Sequence, residues 1–69
     1  MKTYYRVRSY SKKYYKPIKS YYKELNDELQ YILDHKKALC ITSKGNERMC
    51  KVKVFKCTQI LWKRYCWVY

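Results

Sequence analysis

At 69 residues the chain has room for one small domain, whose core is barely adequate without a staple, a metal or a partner. It carries 17 Lys+Arg against 5 Asp+Glu, a formal charge of +12, with ten Tyr, four Cys, one Gly and one Pro. A two-domain enzyme, a Rossmann fold and a TIM barrel are excluded, and no apolar run approaches the ~18 residues of a helical membrane span.

The charge falls in three blocks. Residues 1–23 hold eight cations and no anion, residues 24–34 hold four anions and no Lys or Arg, and residues 35–69 hold nine cations and Glu47 alone. Such an imbalance repels itself and points to a polyanionic partner, nucleic acid or a nucleoprotein complex first, with an anionic membrane surface or an acidic protein groove next. The first residues, Met1 to Arg6, lack the apolar stretch of a secretory signal, which places the expected site of action in the cytoplasm, the host's if the protein is viral.

Residues 1–16 form a basic, Tyr-rich segment. Thr3 to Tyr10 alternates in the manner of an edge strand, or serves as an extended arm. Pro17 suits the first turn of a helix, and Ile18, Tyr22, Leu25, Leu29, Ile32 and Leu33 recur at steps of three and four. Asp27, Glu28, Gln30 and Asp34 occupy the other side, and the His35-Lys36-Lys37 run suits a helix C-terminus. One amphipathic helix over 17–37 is therefore expected. Residues 38–69 read as an antiparallel sheet: a short strand around Leu39 to Thr42, a turn at Ser43 to Asn46, an alternating strand from Arg48 to Cys57, a reversal at Thr58-Gln59 and a last strand from Ile60. The fold expected is a single α+β domain over 1–69: an N-terminal strand or arm, one helix and a three-stranded antiparallel β-meander.

A single helix covers one face of a sheet and leaves the other open. The register decides which residues share the open face. A three-residue turn at 57–59 groups Lys51, Lys53 and Phe55 with Lys63, Tyr65 and Trp67. A two-residue turn at 58–59 groups them with Trp62 and Arg64. Both place cations beside flat rings, which suits single-stranded nucleic acid, where cations follow phosphates and rings stack on bases. The N-terminal segment repeats the pattern, interleaving Tyr4, Tyr5, Tyr10, Tyr14 and Tyr15 with Arg6, Arg8, Lys12, Lys13 and Lys16 and containing no acid.

Cys40, Cys50, Cys57 and Cys66 contain no Cys-x-x-Cys knuckle, so the usual zinc finger or ribbon finds no support. With the first hairpin turned over 44–46, Cys40 lies opposite Cys50, and the three-residue register adds Cys66 to the row. Two disulfides are a further option, but free thiols packing as small apolar residues are the reading adopted, with no metal or cofactor assigned. One histidine, no Ser/His/Asp set and no glycine-rich phosphate loop leave nothing from which to build a metal- or cofactor-dependent enzyme. The function expected is a small non-enzymatic binder of single-stranded DNA or RNA, of the size and composition common in phages and mobile elements. The alternative is a phage-type inhibitor of a host nucleic-acid enzyme or defence complex, in the manner of anti-CRISPR proteins.

Two stretches also resemble the RelE-type RNase toxins. They are Tyr5 to Arg8 followed by Ser11-Lys12-Lys13, and Cys50 to Val54 followed by Ile60-Leu61-Trp62. That resemblance implies a strand, a Lys-rich helix and a basic meander that cuts messenger RNA with basic and aromatic side chains.

Overall fold

A computed structural model describes residues 1–11 and 14–69. In chain order it contains β1 (Lys2–Ser9), β2 (Tyr15–Pro17), β3 (Tyr21–Tyr22), α1 (Asp27–His35), β4 (Lys37–Thr42), β5 (Glu47–Ile60) and β6 (Lys63–Val68). The expected three-stranded meander under one long helix is incorrect. The chain is mostly β, 58% strand against 13% helix, in a curled antiparallel sheet with one short helix.

The strand order is β2-β4-β5-β1-β3, with β6 also paired to β5. The fourteen-residue β5 organises the sheet. Its residues 47–51 pair with β4 and its residues 55–60 with β6, while β1 takes the opposite edge over residues 52–59. The N-terminal segment is thus a strand, paired from Lys2↔Gln59 to Ser9↔Val52. Its sequence alternates as a strand must: Tyr5, Val7 and Ser9 face the core, and Tyr4, Arg6 and Arg8 face the other way.

The helix is less than half the length expected over 17–37. Asn26 caps it, its side-chain oxygen accepting from the Leu29 amide at 2.8 Å, and Asp27 and Glu28 favour the positive end of the helix dipole. These three polar residues start a helix where the apolar periodicity alone runs straight through. Upstream, Pro17 ends β2, and the β-prone Tyr21-Tyr22 pair joins the sheet against Arg6 and Tyr5. Ile18 and Leu25, placed on the apolar stripe by spacing, are about half exposed. Lys36 closes the helix in the left-handed region at φ 56°.

The core lies between α1 and one face of the sheet. Leu29 and Ile32 descend on Tyr5, Val7, Val52, Val54, Ala38, Cys40 and Tyr22. Tyr22 carries a polar tip into this layer, and its hydroxyl donates to Glu28 Oε1 at 3.0 Å. Burial first, and then the bond to Glu28 and its negative charge, push the Tyr22 phenol up from 10.0 to about 12. The folded state therefore holds this proton more tightly than the unfolded chain. Its stabilising effect is complete below pH ~10 and disappears as pH rises towards 12, a loss of about 2–3 kcal/mol. Tyr22→Phe is expected to flatten that part of the alkaline unfolding profile, as followed by circular dichroism. A parent and variant with the same profile would show that Tyr22 does not drive it.

Both hairpins carry a disulfide, Cys40–Cys50 between β4 and β5 and Cys57–Cys66 between β5 and β6. The free-thiol reading is thereby replaced, and so is the row of three thiols, because the seven-residue step from Cys50 to Cys57 puts the two disulfides on opposite sheet faces. In the first hairpin Thr42 and Asn46 close the turn and Cys40 stands opposite Arg48. That register differs from the expected one by two residues, which keeps Cys40 and Cys50 on one face as a diagonal pair. Gly45, at φ 88°, supplies the positive φ this turn needs.

The second reversal is not at Thr58-Gln59, which continue β5 against Thr3 and Lys2. It is the two-residue turn Leu61-Trp62 between Ile60 and Lys63, with Leu61 held at φ 57°. Neither residue is a turn former, so the sequence carries no local sign of it.

Candidate nucleic-acid interface

Alternation along β1, β5 and β6 gathers one set of side chains on the sheet face opposite the helix. Arg6 stands beside Phe55 and Arg8 beside Lys53 across the β1–β5 ladder, while Arg64 enters from β6 opposite Gln59. Arg6, Arg8 and Arg64 line an open cup of about 210 Å³ whose other walls are Tyr4, Phe55 and the Cys57–Cys66 disulfide. Tyr4 is buried and its ring lies 5.4 Å from that of Tyr21, tilted by 30°, which extends the aromatic layer towards β3. Lys53 continues the cationic row, its ammonium 4.8 Å from the centre of the Tyr10 ring.

No carboxylate lines this cup. Among the described residues the one ion pair is Lys19–Glu28, at 3.9 Å, and Asp27, Glu28 and Asp34 belong to the helix on the other side of the sheet. Arg6 has its Nε out of solvent with no hydrogen-bond partner. Three guanidiniums gathered on one hollow repel one another, and an anion seated among them would offset that repulsion. The arrangement can bind phosphate or carboxylate oxygens in the bidentate manner of arginine, over aromatic surface fit for stacking.

Of the residues singled out from sequence, the structure brings Arg6, Arg8, Phe55 and Arg64 into the cup and sets Lys53 next to it. Lys51 lies further along β5 against Lys37 of β4. Lys63 and Tyr65, opposite Ile60 and Thr58, project from the other side of β6 and do not join the arginines. Tyr15 and Lys16 sit in β2 at the far edge of the sheet, where Arg48 donates to the Tyr15 hydroxyl at 3.5 Å, and Tyr14 adjoins them. Lys12 and Lys13 fall outside the described residues. Tyr4, one of the rings that alternate with Arg6 and Arg8 in the N-terminal segment, also joins the cup, whereas sequence reasoning missed the Cys57–Cys66 pair as part of it.

Among the described residues there is no Lys-rich helix of the kind that the RNase-toxin resemblance implies. Helix α1 contains no Lys or Arg, and Lys16, Lys19 and Lys23 precede it in strand and loop. No protein-family model, no curated protein and no solved structure matches the chain. No helix among the described residues is long and apolar enough to cross a membrane.

Proposed function

We propose that the protein binds single-stranded nucleic acid, DNA or RNA, through the arginine cup and the aromatic layer beside it. The observation that carries this reading is the convergence of Arg6, Arg8 and Arg64 on one hollow that no carboxylate lines. Phosphates engage the guanidiniums and Lys53, and bases meet Phe55 and the exposed rings of Tyr10 and Tyr21. Binding is dominated by the backbone and weakly selective for sequence, because cations and rings present no fixed pattern of donors and acceptors to base edges. The two disulfides favour an oxidising setting over the reducing cytoplasm suggested by the chain's first residues.

Titration of a fluorescent single-stranded oligonucleotide at rising salt tests the reading. For four to six phosphates, log affinity against log salt is expected to slope at about −3 to −4. Arg8→Gln combined with Arg64→Gln removes two exposed cations, so it is expected to flatten the slope by about one to one and a half while moving stability by no more than ~0.5 kcal/mol. A parent that does not bind at low salt defeats the proposal, and an unchanged slope in the variant removes the cup from it.

A further inference from the structure

The β5–β6 hairpin ends in a feature that the arginine cup does not use. Leu61 and Trp62 form its apex at 79% and 84% exposure, the most exposed large apolar side chains after Met1. Ile60, next to them, is about half exposed. A two-residue hairpin turn favours Gly, Asn or Asp because its backbone needs positive φ, and Leu61 occupies that conformation at φ 57°. The chain thus gives up turn stability and exposes two of its largest apolar side chains in one place. An outlier of this kind at an exposed tip is a mark of use.

From these observations we infer that the Leu61-Trp62 tip inserts into the interfacial layer of an anionic phospholipid membrane. Interfacial segments bury their apolar side chains by ~5–10 Å, which on a β-hairpin standing upright is two or three residues of each strand. Here that depth takes in Ile60, Leu61, Trp62 and Lys63. Lys63 has a stem long enough to carry its ammonium back to the headgroups. At the level above stand Arg64 and Gln59, followed by Tyr65 opposite Thr58 and by Trp67 opposite Lys56. Aromatic and cationic side chains just above an apolar apex are the pattern of a membrane–water boundary. The charge fits an anionic lipid surface, since no Asp or Glu follows Glu47 while Lys56, Lys63 and Arg64 line the hairpin.

The hairpin is also pre-organised for insertion. Cys57–Cys66 ties its strands three residue pairs below Ile60↔Lys63, and Gln59 Nε2 donates to the Leu61 carbonyl at 3.4 Å. Base stacking, the other use of an exposed indole, accounts for Trp62 alone. Leu61 and Ile60 have no flat face to offer a base, and an acyl boundary accommodates all three.

The test uses the oxidised full chain with vesicles of phosphatidylcholine, with and without phosphatidylserine. In the Trp67→Phe protein Trp62 is the sole tryptophan, and its emission is expected to shift to the blue on serine-containing vesicles and to be quenched by bromine-labelled acyl chains. Leu61→Gly with Trp62→Ser supplies residues the turn prefers, so the hairpin is kept while its apolar tip is lost. That variant is expected to lose at least about tenfold in partitioning to the serine-containing vesicles. Equal partitioning of variant and parent would reduce the effect to surface charge and overturn the inference. So would a Trp62 emission that ignores vesicles but changes on adding a single-stranded oligonucleotide, which would assign the tip to the nucleic-acid surface.

Discussion

Reduction of both disulfides is expected to remove most of the stability of this domain. Each closes a short loop, with sequence separations of ten and nine residues, and loops of that size lose about 2.5 kcal/mol of stabilisation in the chain-entropy model when opened. Together they approach the whole margin of a domain this small, about 3–10 kcal/mol. The two bonds act on different parts. Cys40 is fully buried among the core residues, so losing its bond disturbs the layer under α1. Every residue of β6 is exposed, and apart from its ladder to β5 it has Cys57–Cys66 as its main attachment. Cys57→Ser with Cys66→Ser is therefore expected to release β6 and Arg64 before the core melts, whereas Cys40→Ser with Cys50→Ser lowers the midpoint of the main transition. Circular dichroism melts with and without reductant, each checked by thiol alkylation, measure both effects. A reduced protein that melts within a few degrees of the oxidised one would show that the sheet stands without its staples.

Leu29→Ala is expected to cost about 2–5 kcal/mol, enough to unfold much of the population at room temperature. Leu29 is fully buried, and it is the helix residue at the middle of the contact with Val7, Val52 and Val54. With a nine-residue helix there are few other anchors: Ile32 is buried and Leu33 only partly. The cavity has little chance to close, because the disulfide at Cys40 and the paired strands hold the opposite wall in place. Urea titration of parent and variant reads the difference, and a midpoint unmoved by the change would mean that α1 is not held by this face.

The sequence showed local features well and long-range pairing poorly. The alternation of Thr3 to Tyr10 was visible, but its partner is some fifty residues away in β5, and no local pattern specifies that pairing. Steps of three and four between Ile18 and Leu33 suggested one long helix, and the decisive Asn26-Asp27-Glu28 start was absorbed into it. Tyrosine pairs suit both an amphipathic helix and a strand, and here the open edge of β1 decided for the strand. The site was legible in pieces. Lys53 with Phe55 and Arg6 with Arg8 each followed from period-two alternation, yet their meeting with Arg64 depends on the β1–β5 pairing and on a turn built from leucine and tryptophan.

The separation of some fifty residues between β1 and its partner β5 has a consequence during synthesis. β1 is made well before the residues it must pair with, Val52 to Gln59, whereas β3, which covers its other edge, follows closely. Until β5 follows, the edge it will cover is open to pairing with another nascent copy. Lys2, Arg6 and Arg8, with no acid among their neighbours, make two such strands repel one another. Arg6 and Arg8, which line the finished cup, thus join Lys2 in protecting the unfinished chain from aggregation. Neutral replacements among them are expected to lower the yield of soluble protein even where the folded domain tolerates the change.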